Sequence, residues 1–149
     1  MAHDFDKFPE LTNTQMEFHY FDSPHTQIVR DFIATIAKVT DGDTVRLNWD
    51  ERDFEFSMRL RDIDTPELGS GGEASKYHLK DLIEGKEVDI LIDPENRVDK
   101  WGRLLGDVLF DGMKMSEEMI FTGHAAPFTQ RREGEIPDHN LEMAVKNWL

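Results

Sequence analysis

An α+β, mainly β, domain is predicted for this chain: a five-stranded Greek-key barrel of the OB type with about three packed helices. Two observations carry it. Apolar and polar residues alternate over three successive stretches, a helix-type stretch intervenes, and the alternation then returns twice. That order, followed by further helices, suits a small closed barrel. Size is the second observation: 149 residues with 38% apolar content, ten Phe and three Trp suffice for one core and are too few for two ordinary domains.

Residues 1–29 precede the alternation. Pro9, Asn13, Pro24 and Thr26 punctuate them, and Phe18, Tyr20 and Phe21 supply apolar anchors without a sustained period. They are expected to form an irregular N-terminal arm with one short strand near Phe18–Phe21. The arm is expected to pack on its own domain, residues 30–149; docking of a protein partner through residues 1–29 is the sharper alternative.

Phe32 to Val39 is rich in Ile, Thr, Val and Ala and reads as the first strand. Val45, Leu47 and Trp49 then alternate with Arg46 and Asn48, and after the turn Asp50–Arg52, Phe54, Phe56, Met58 and Leu60 alternate with Glu55, Ser57, Arg59 and Arg61. A strand period of two sets Arg59 on the face opposite Phe56, Met58 and Leu60, so it is not a core residue. Gly69-Ser70-Gly71-Gly72 breaks the chain. Glu73 to Glu84 is helix-like, with Leu79, Leu82 and Ile83 on one face and Gly85 as its stop. Lys86 to Asp93 and Arg103 to Phe110 are the fourth and fifth strands. Met115 to Phe121 reads as a short helix before Gly123, and Pro137-Asp138 open a last helix carrying Leu141, Val145 and Trp148.

Composition constrains the class of function. No stretch approaches the roughly 18 apolar residues of a membrane span, and the acidic start lacks the basic-then-apolar order of a secretory leader. With no cysteine there are no disulfides or thiolate metal sites. A cytoplasmic monomer is expected, or a mature form whose leader has been removed. The net charge of −14 is spread along the chain: residues 1–29 hold five acids against one Lys, and 30–149 hold 26 against 16 Lys plus Arg. A polyanionic substrate must therefore be gripped by a local cationic cluster and a bound cation, because a long basic groove is not on offer.

Such a cluster stands in two segments, Asp41-Gly42-Asp43-Thr44 and Arg59-Leu60-Arg61-Asp62-Ile63-Asp64-Thr65-Pro66-Glu67, with Asp99-Lys100-Trp101-Gly102-Arg103 further on. Calcium takes six to eight oxygen ligands; Asp43 and Asp64 can contribute if the two strand ends lie side by side. Glu67, three residues after Asp64 and stiffened by Pro66, is positioned to orient or deprotonate a water, although a surface acid is the plainer role. Arg59 and Arg103 can each fork two phosphate oxygens and stabilise charge in a five-coordinate transition state; alone, either would be read as half of a surface salt bridge. Lys100 can meet a terminal phosphate and Trp101 a base, with core packing as the other role open to Trp101.

Together these segments, with Glu73-Ala74-Ser75, Asp111-Gly112 and Gly123-His124-Ala125, resemble the staphylococcal-nuclease-like (thermonuclease) family from about Val39 to Ala125. The resemblance implies an OB-type five-stranded barrel with three helices and calcium-dependent cleavage of DNA and RNA. Position by position it implies Asp43, Asp64 and the Thr65 carbonyl as calcium ligands, Glu67 on the attacking water, and Arg59 and Arg103 on the phosphate. Two departures stand out. Only Leu68 to Gly72 separate Glu67 from Glu73-Ala74-Ser75, where secreted members carry a longer lysine-rich loop. Pro127-Phe128-Thr129 stands where tyrosines usually stack on nucleotide, with Phe128 as the substitute. The expected function is a calcium-dependent nuclease acting on single-stranded or frayed DNA or RNA. The alternative is a non-catalytic barrel that binds nucleic acid or protein.

Overall fold

The computed structural model describes residues 2–127. Five strands, β1 (Phe32–Asp41), β2 (Thr44–Asn48), β3 (Phe56–Leu60), β5 (Glu87–Leu91) and β6 (Leu104–Phe110), form a closed barrel. The strand order is β3-β2-β1-β5-β6, and β6 returns to pair with β3. The barrel contacts are antiparallel except at this closure, where β3 and β6 run parallel with Met58 opposite Leu104, Arg59 opposite Leu105 and Leu60 opposite Gly106. The mainly β barrel with helices is thus the predicted fold, and the meander over residues 32–60 has the predicted order.

Alternation in the sequence becomes inside and outside in the barrel. Phe56, Met58 and Leu60 are buried, whereas Ser57 and Arg59 between them are not. Ile36, Val45, Leu47, Ile90, Leu104 and Val108 complete the interior. Each fully buried side chain of this size contributes about 1.5–3 kcal/mol. α2 (Gly72–Ile83) packs on β1, burying Leu79 and Ile83, and α3 (Met115–Phe121) packs on β6, burying Met115 and Met119. The first turn of α3 is held from β6, where Asp107 accepts from both the backbone N–H and the hydroxyl of Ser116.

Short strands tie the outer segments. β4 (Ile63–Asp64) pairs with β8 (Ala126–Pro127), setting Asp64 opposite Ala126. β7 (Met113–Lys114) extends the edge beside β6. The last helix expected from Pro137 lies outside the described residues.

The arm departs from its expected form. Instead of a strand near Phe18–Phe21, the structure has α1 (Asn13–His19) followed by a 3₁₀ turn at Tyr20–Asp22. The reason is local: Thr12 Oγ1 accepts from the Gln15 N–H at 3.1 Å, while the Gln15 side chain accepts from the Thr12 N–H at 3.0 Å. This capping box starts a helix whatever the β propensity of the aromatics that follow. Phe18 and Phe21 project outward, 74% and 97% exposed, so they anchor nothing among the described residues.

Two buried arginines bind the arm to the barrel. Arg52 donates to both Glu10 carboxylate oxygens at 2.7 Å, and to the Thr26 carbonyl at 3.1 Å. Its guanidinium lies 4.4 Å from the Phe56 ring centre. Arg97 donates to the Leu11 and Ile28 carbonyls and to Asn13 Oδ1. Leu11 and Ile28 are themselves buried.

Candidate active site

A cleft of about 410 Å³ opens where the ends of β1, β2 and β3 meet the segment after β4 and the loop before β6. Asp41, Asp43, Arg59, Asp64, Thr65, Glu67, Trp101 and Arg103 all line it. The chain thus brings together residues from three distant segments, and the barrel's closure explains how. Thr44 pairs with Arg59 across β2–β3, and Arg59 pairs with Leu105 across β3–β6.

Arg59 stands on the outer face of β3, its side chain 14% exposed. Nη1 donates to the Leu60 carbonyl and Nη2 to the Ile63 carbonyl, both at 3.1 Å, and Nη2 lies 3.5 Å from Asp43 Oδ2. Asp43 also accepts from Thr44 Oγ1 at 3.0 Å, and its own N–H donates to Asp41 Oδ1 at 3.0 Å. Burial, followed by the hydrogen bond to Asp41 and its charge, pushes the Asp43 carboxyl up to about 6, against the pull of Arg59. Asp41 is likewise desolvated, but its bonds with Asp43 and Thr44 and the charge of Arg103 hold it below the usual carboxylate range. Two carboxyls in one poorly solvated turn thus favour sharing a positive charge or a proton.

The turn is packed tightly from behind. A Cβ at Gly42 would come 2.7 Å from the Ser75 Cβ of α2 and 3.1 Å from a Thr65 methyl, so only glycine lets the helix and Thr65 close on this turn. Ser75 in turn donates to the His124 carbonyl at 2.6 Å, two residues before the strand that pairs with Asp64. Glu67 is exposed at the mouth of the cleft. Its carbonyl accepts from the N–H groups of Ser70 and Gly72 at 2.9 and 3.0 Å, so the short segment after it folds back as a compact turn into α2.

Arg103 is held by Asp99, which accepts Nε at 2.8 Å through Oδ2 and the Trp101 and Arg103 N–H groups at 2.9 Å through Oδ1. Asp99 is 9% exposed and Arg103 34%. Trp101 is 57% exposed, not a core residue. The Arg103 guanidinium lies 5.5 Å from its ring centre and Lys100 Nζ 4.6 Å. Lys100 lines a neighbouring cavity beside residues 2–15 rather than the cleft. Phe128 lies outside the described residues.

Asp41 and Asp99 belong to the site as well, although the sequence motifs that contain them assign neither a role. Their spacing from Asp43 and Arg103, two and four residues within single turns, was the available signal. Among the described residues no three acids or histidines form a ready-made metal cluster. The donors present are carboxylates and a carbonyl, the chemistry of a hard cation. No helix among the described residues is long and apolar enough to cross a membrane.

A family model described as staphylococcal nuclease homologue matches residues 57–147. The chain is 29% identical over 112 residues to the protein named Endonuclease YncB of Bacillus subtilis (strain 168), an alignment covering 69% of this chain and 52% of that protein. It is 34% identical over 84 residues to a rice protein (Oryza sativa subsp. japonica) named "Probable staphylococcal-like nuclease CAN1", covering 53% of this chain and 24% of the relative. It is also 30% identical over 96 residues to an uncharacterized protein of Bacillus anthracis, covering 60% and 44%. The aligned regions thus span from about a quarter to about half the length of these relatives.

Proposed function

Because the chain belongs to the staphylococcal nuclease homologue family, we propose that it is a calcium-dependent phosphodiesterase that hydrolyses DNA, RNA or both. The observation that supports this most is the convergence of Asp43, Arg59, Asp64, Thr65, Glu67 and Arg103 on one open cleft. Asp43 and Asp64, with the Thr65 carbonyl, would hold calcium. The elevated Asp43 carboxyl fits, since a cation would relieve the crowding of Asp41 and Asp43 that burial enforces. Calcium bound there would supply positive charge at a scissile phosphate.

The side chains divide the remaining work. Glu67 orients a water for attack on phosphorus and takes its proton. Arg59 gives up its 3.5 Å contact with Asp43 for phosphate oxygens. Asp99 occupies Arg103 Nε, which leaves the Nη fork for the same phosphate. Charge growing on the equatorial oxygens meets two guanidiniums set in advance, so little reorganisation is needed at the transition state. Trp101 at the rim offers a face for a base. An acidic surface whose cleft offers two arginines among its carboxylates, and no long basic groove, favours single-stranded or frayed ends over intact duplex.

The test is cleavage of single-stranded DNA and RNA with calcium and with chelator, from neutral to alkaline pH. Calcium-dependent products that vanish in Glu67→Gln are expected. Tight binding without turnover in any divalent metal would replace this reading with a binding module.

A further inference from the structure

The loop that carries Arg103 has a second neighbour. Val98 and Leu104 pair as an isolated bridge, and between them Asp99 N–H donates to the Arg103 carbonyl at 2.8 Å and Gly102 N–H to the Asp99 carbonyl at 3.0 Å. With the Asp99 carboxylate bonds, these fix the loop's internal shape. Its two ends are anchored on the barrel, where Leu104 and Leu105 pair with Met58 and Arg59 and the Leu105 N–H donates to the Arg97 carbonyl at 2.8 Å, but these bonds do not reach the Trp101–Gly102 tip.

An outside contact comes from the arm. The Phe8 ring is seated on Gly102, where a Cβ would come 2.7 Å from Phe8 Cδ1. Gly102 has φ +85, so its conformation and this approach both call for glycine. A cavity of about 280 Å³ between arm and barrel is lined by Lys7, Phe8, Trp101, Gly102 and Arg103 among others, and Trp101 and Arg103 also line the cleft. The loop is therefore a thin wall, with the cleft on one side and the arm on the other.

The arm is itself hydrogen-bonded at this point. Phe8 N–H donates to the Asp4 carbonyl at 2.9 Å, and His3 Nε2 lies 2.7 Å from the Phe8 carbonyl. Two residues later Glu10 enters its buried pair with Arg52, and Leu11 is bonded to Arg97.

We propose that the N-terminal arm is a brace for the Asp99–Arg103 loop, with Phe8 as a positioning residue that fixes the Arg103 guanidinium against the phosphate. The role rests on the nuclease reading; the brace itself does not. Removing the ring lets the loop swing as a unit while its internal bonds survive, and Arg103 leaves its productive position. A displacement of about 1 Å costs on the order of 10²-fold in rate.

The experiment pairs two measurements on the full chain. In Phe8→Ala, ¹⁵N relaxation should show order parameters at the Trp101, Gly102 and Arg103 amides falling from about 0.85 toward 0.6 or below, with β1 unchanged. With calcium and single-stranded DNA, kcat should fall roughly 10- to 100-fold while KM moves far less, and Phe8→Leu, which keeps most of the bulk, should recover most of it. Unchanged order parameters overturn the brace. A mobile loop with undiminished kcat overturns the positioning role. If the wild type cleaves nothing, the relaxation still decides the brace, so the two readings fail separately. Should Phe8→Ala not fold, Phe8→Val takes its place in both measurements.

Discussion

Two arginine–carboxylate pairs in this chain, Glu10–Arg52 at the arm seam and Asp43–Arg59 in the cleft, use the same groups to opposite ends. At the seam both carboxylate oxygens accept at 2.7 Å, and the side chains are 2% and 0% exposed. Aromatic rings and a backbone carbonyl close the rest of the guanidinium's surface. In the cleft one Arg59 nitrogen lies 3.5 Å from one Asp43 oxygen while the guanidinium also donates to the Leu60 and Ile63 carbonyls, and both side chains, 14% exposed, line a cavity. Arg103 with Asp99 lies between, well bonded at Nε but a third exposed. The two arginines differ in how their carboxylate partners meet them. The seam pair is committed through both carboxylate oxygens, whereas the cleft pair is looser and lies beside a cavity, which is what the proposed exchange of carboxylate for phosphate requires.

That contrast breaks first at the cleft. Arg59→Ala and Glu67→Gln should each lower calcium-dependent kcat by about 10²–10⁴-fold while melting temperatures stay near wild type; near-normal rates in both would make the cleft pair as structural as the seam. Glu10→Gln should do the reverse. Leaving Arg52 buried without its counter-charge costs about 3–5 kcal/mol, read as a lower midpoint in urea, and an unaltered midpoint would show that the seam pair is as dispensable as a surface one.

Asp43→Asn sharpens the comparison through pH. A carboxyl raised to about 6 in the folded state, from an ordinary 3.8, contributes stability that is present below 3.8 and lost as pH rises through 6. Asp41, shifted the other way, contributes stability that is present above 3.8 and lost as pH falls, so the two partly offset. In chelator the Asn variant should gain on the order of 1–2 kcal/mol over wild type at pH 7.5, with the gap shrinking toward pH 4.5, and should lose calcium-dependent cleavage. A gap independent of pH between those two values would mean that the carboxyls are not crowded. The smallest effect belongs to Arg46→Ala, whose contact with Glu55 is 3.4 Å between side chains 39% and 49% exposed. It should cost under about 1 kcal/mol, and a larger loss would signal an unrecognised structural role.

Much of this was legible in the chain. The period of two across Phe56 to Leu60 separated Arg59 from the core, and Met115–Phe121 is the helix its composition implied. The convergence on one cleft was legible only through motif order, because it depends on a parallel pairing between residues far apart in sequence. The arm was read less well. Its aromatics suggested a strand, whereas the Thr12-to-Gln15 spacing, a capping-box signal present in the sequence, started a helix. Arg52 sat in what read as a polar turn, and nothing local reveals that a guanidinium will be enclosed by rings and a carboxylate brought from residue 10. Trp101 had two roles open to it, and exposure removes the one in the core.

The parallel closure of β3 on β6 also ties the site to the completeness of the barrel. Meanders such as β1–β2–β3 form from neighbouring segments at small loop-closure cost, but Met58 must find Leu104 across the helix and β5. That pairing joins the strand bearing Arg59 to the strand that follows Arg103. Without it the two guanidiniums sit on segments that no other strand pairing among the described residues joins directly, so the proposed chemistry requires the barrel to be closed.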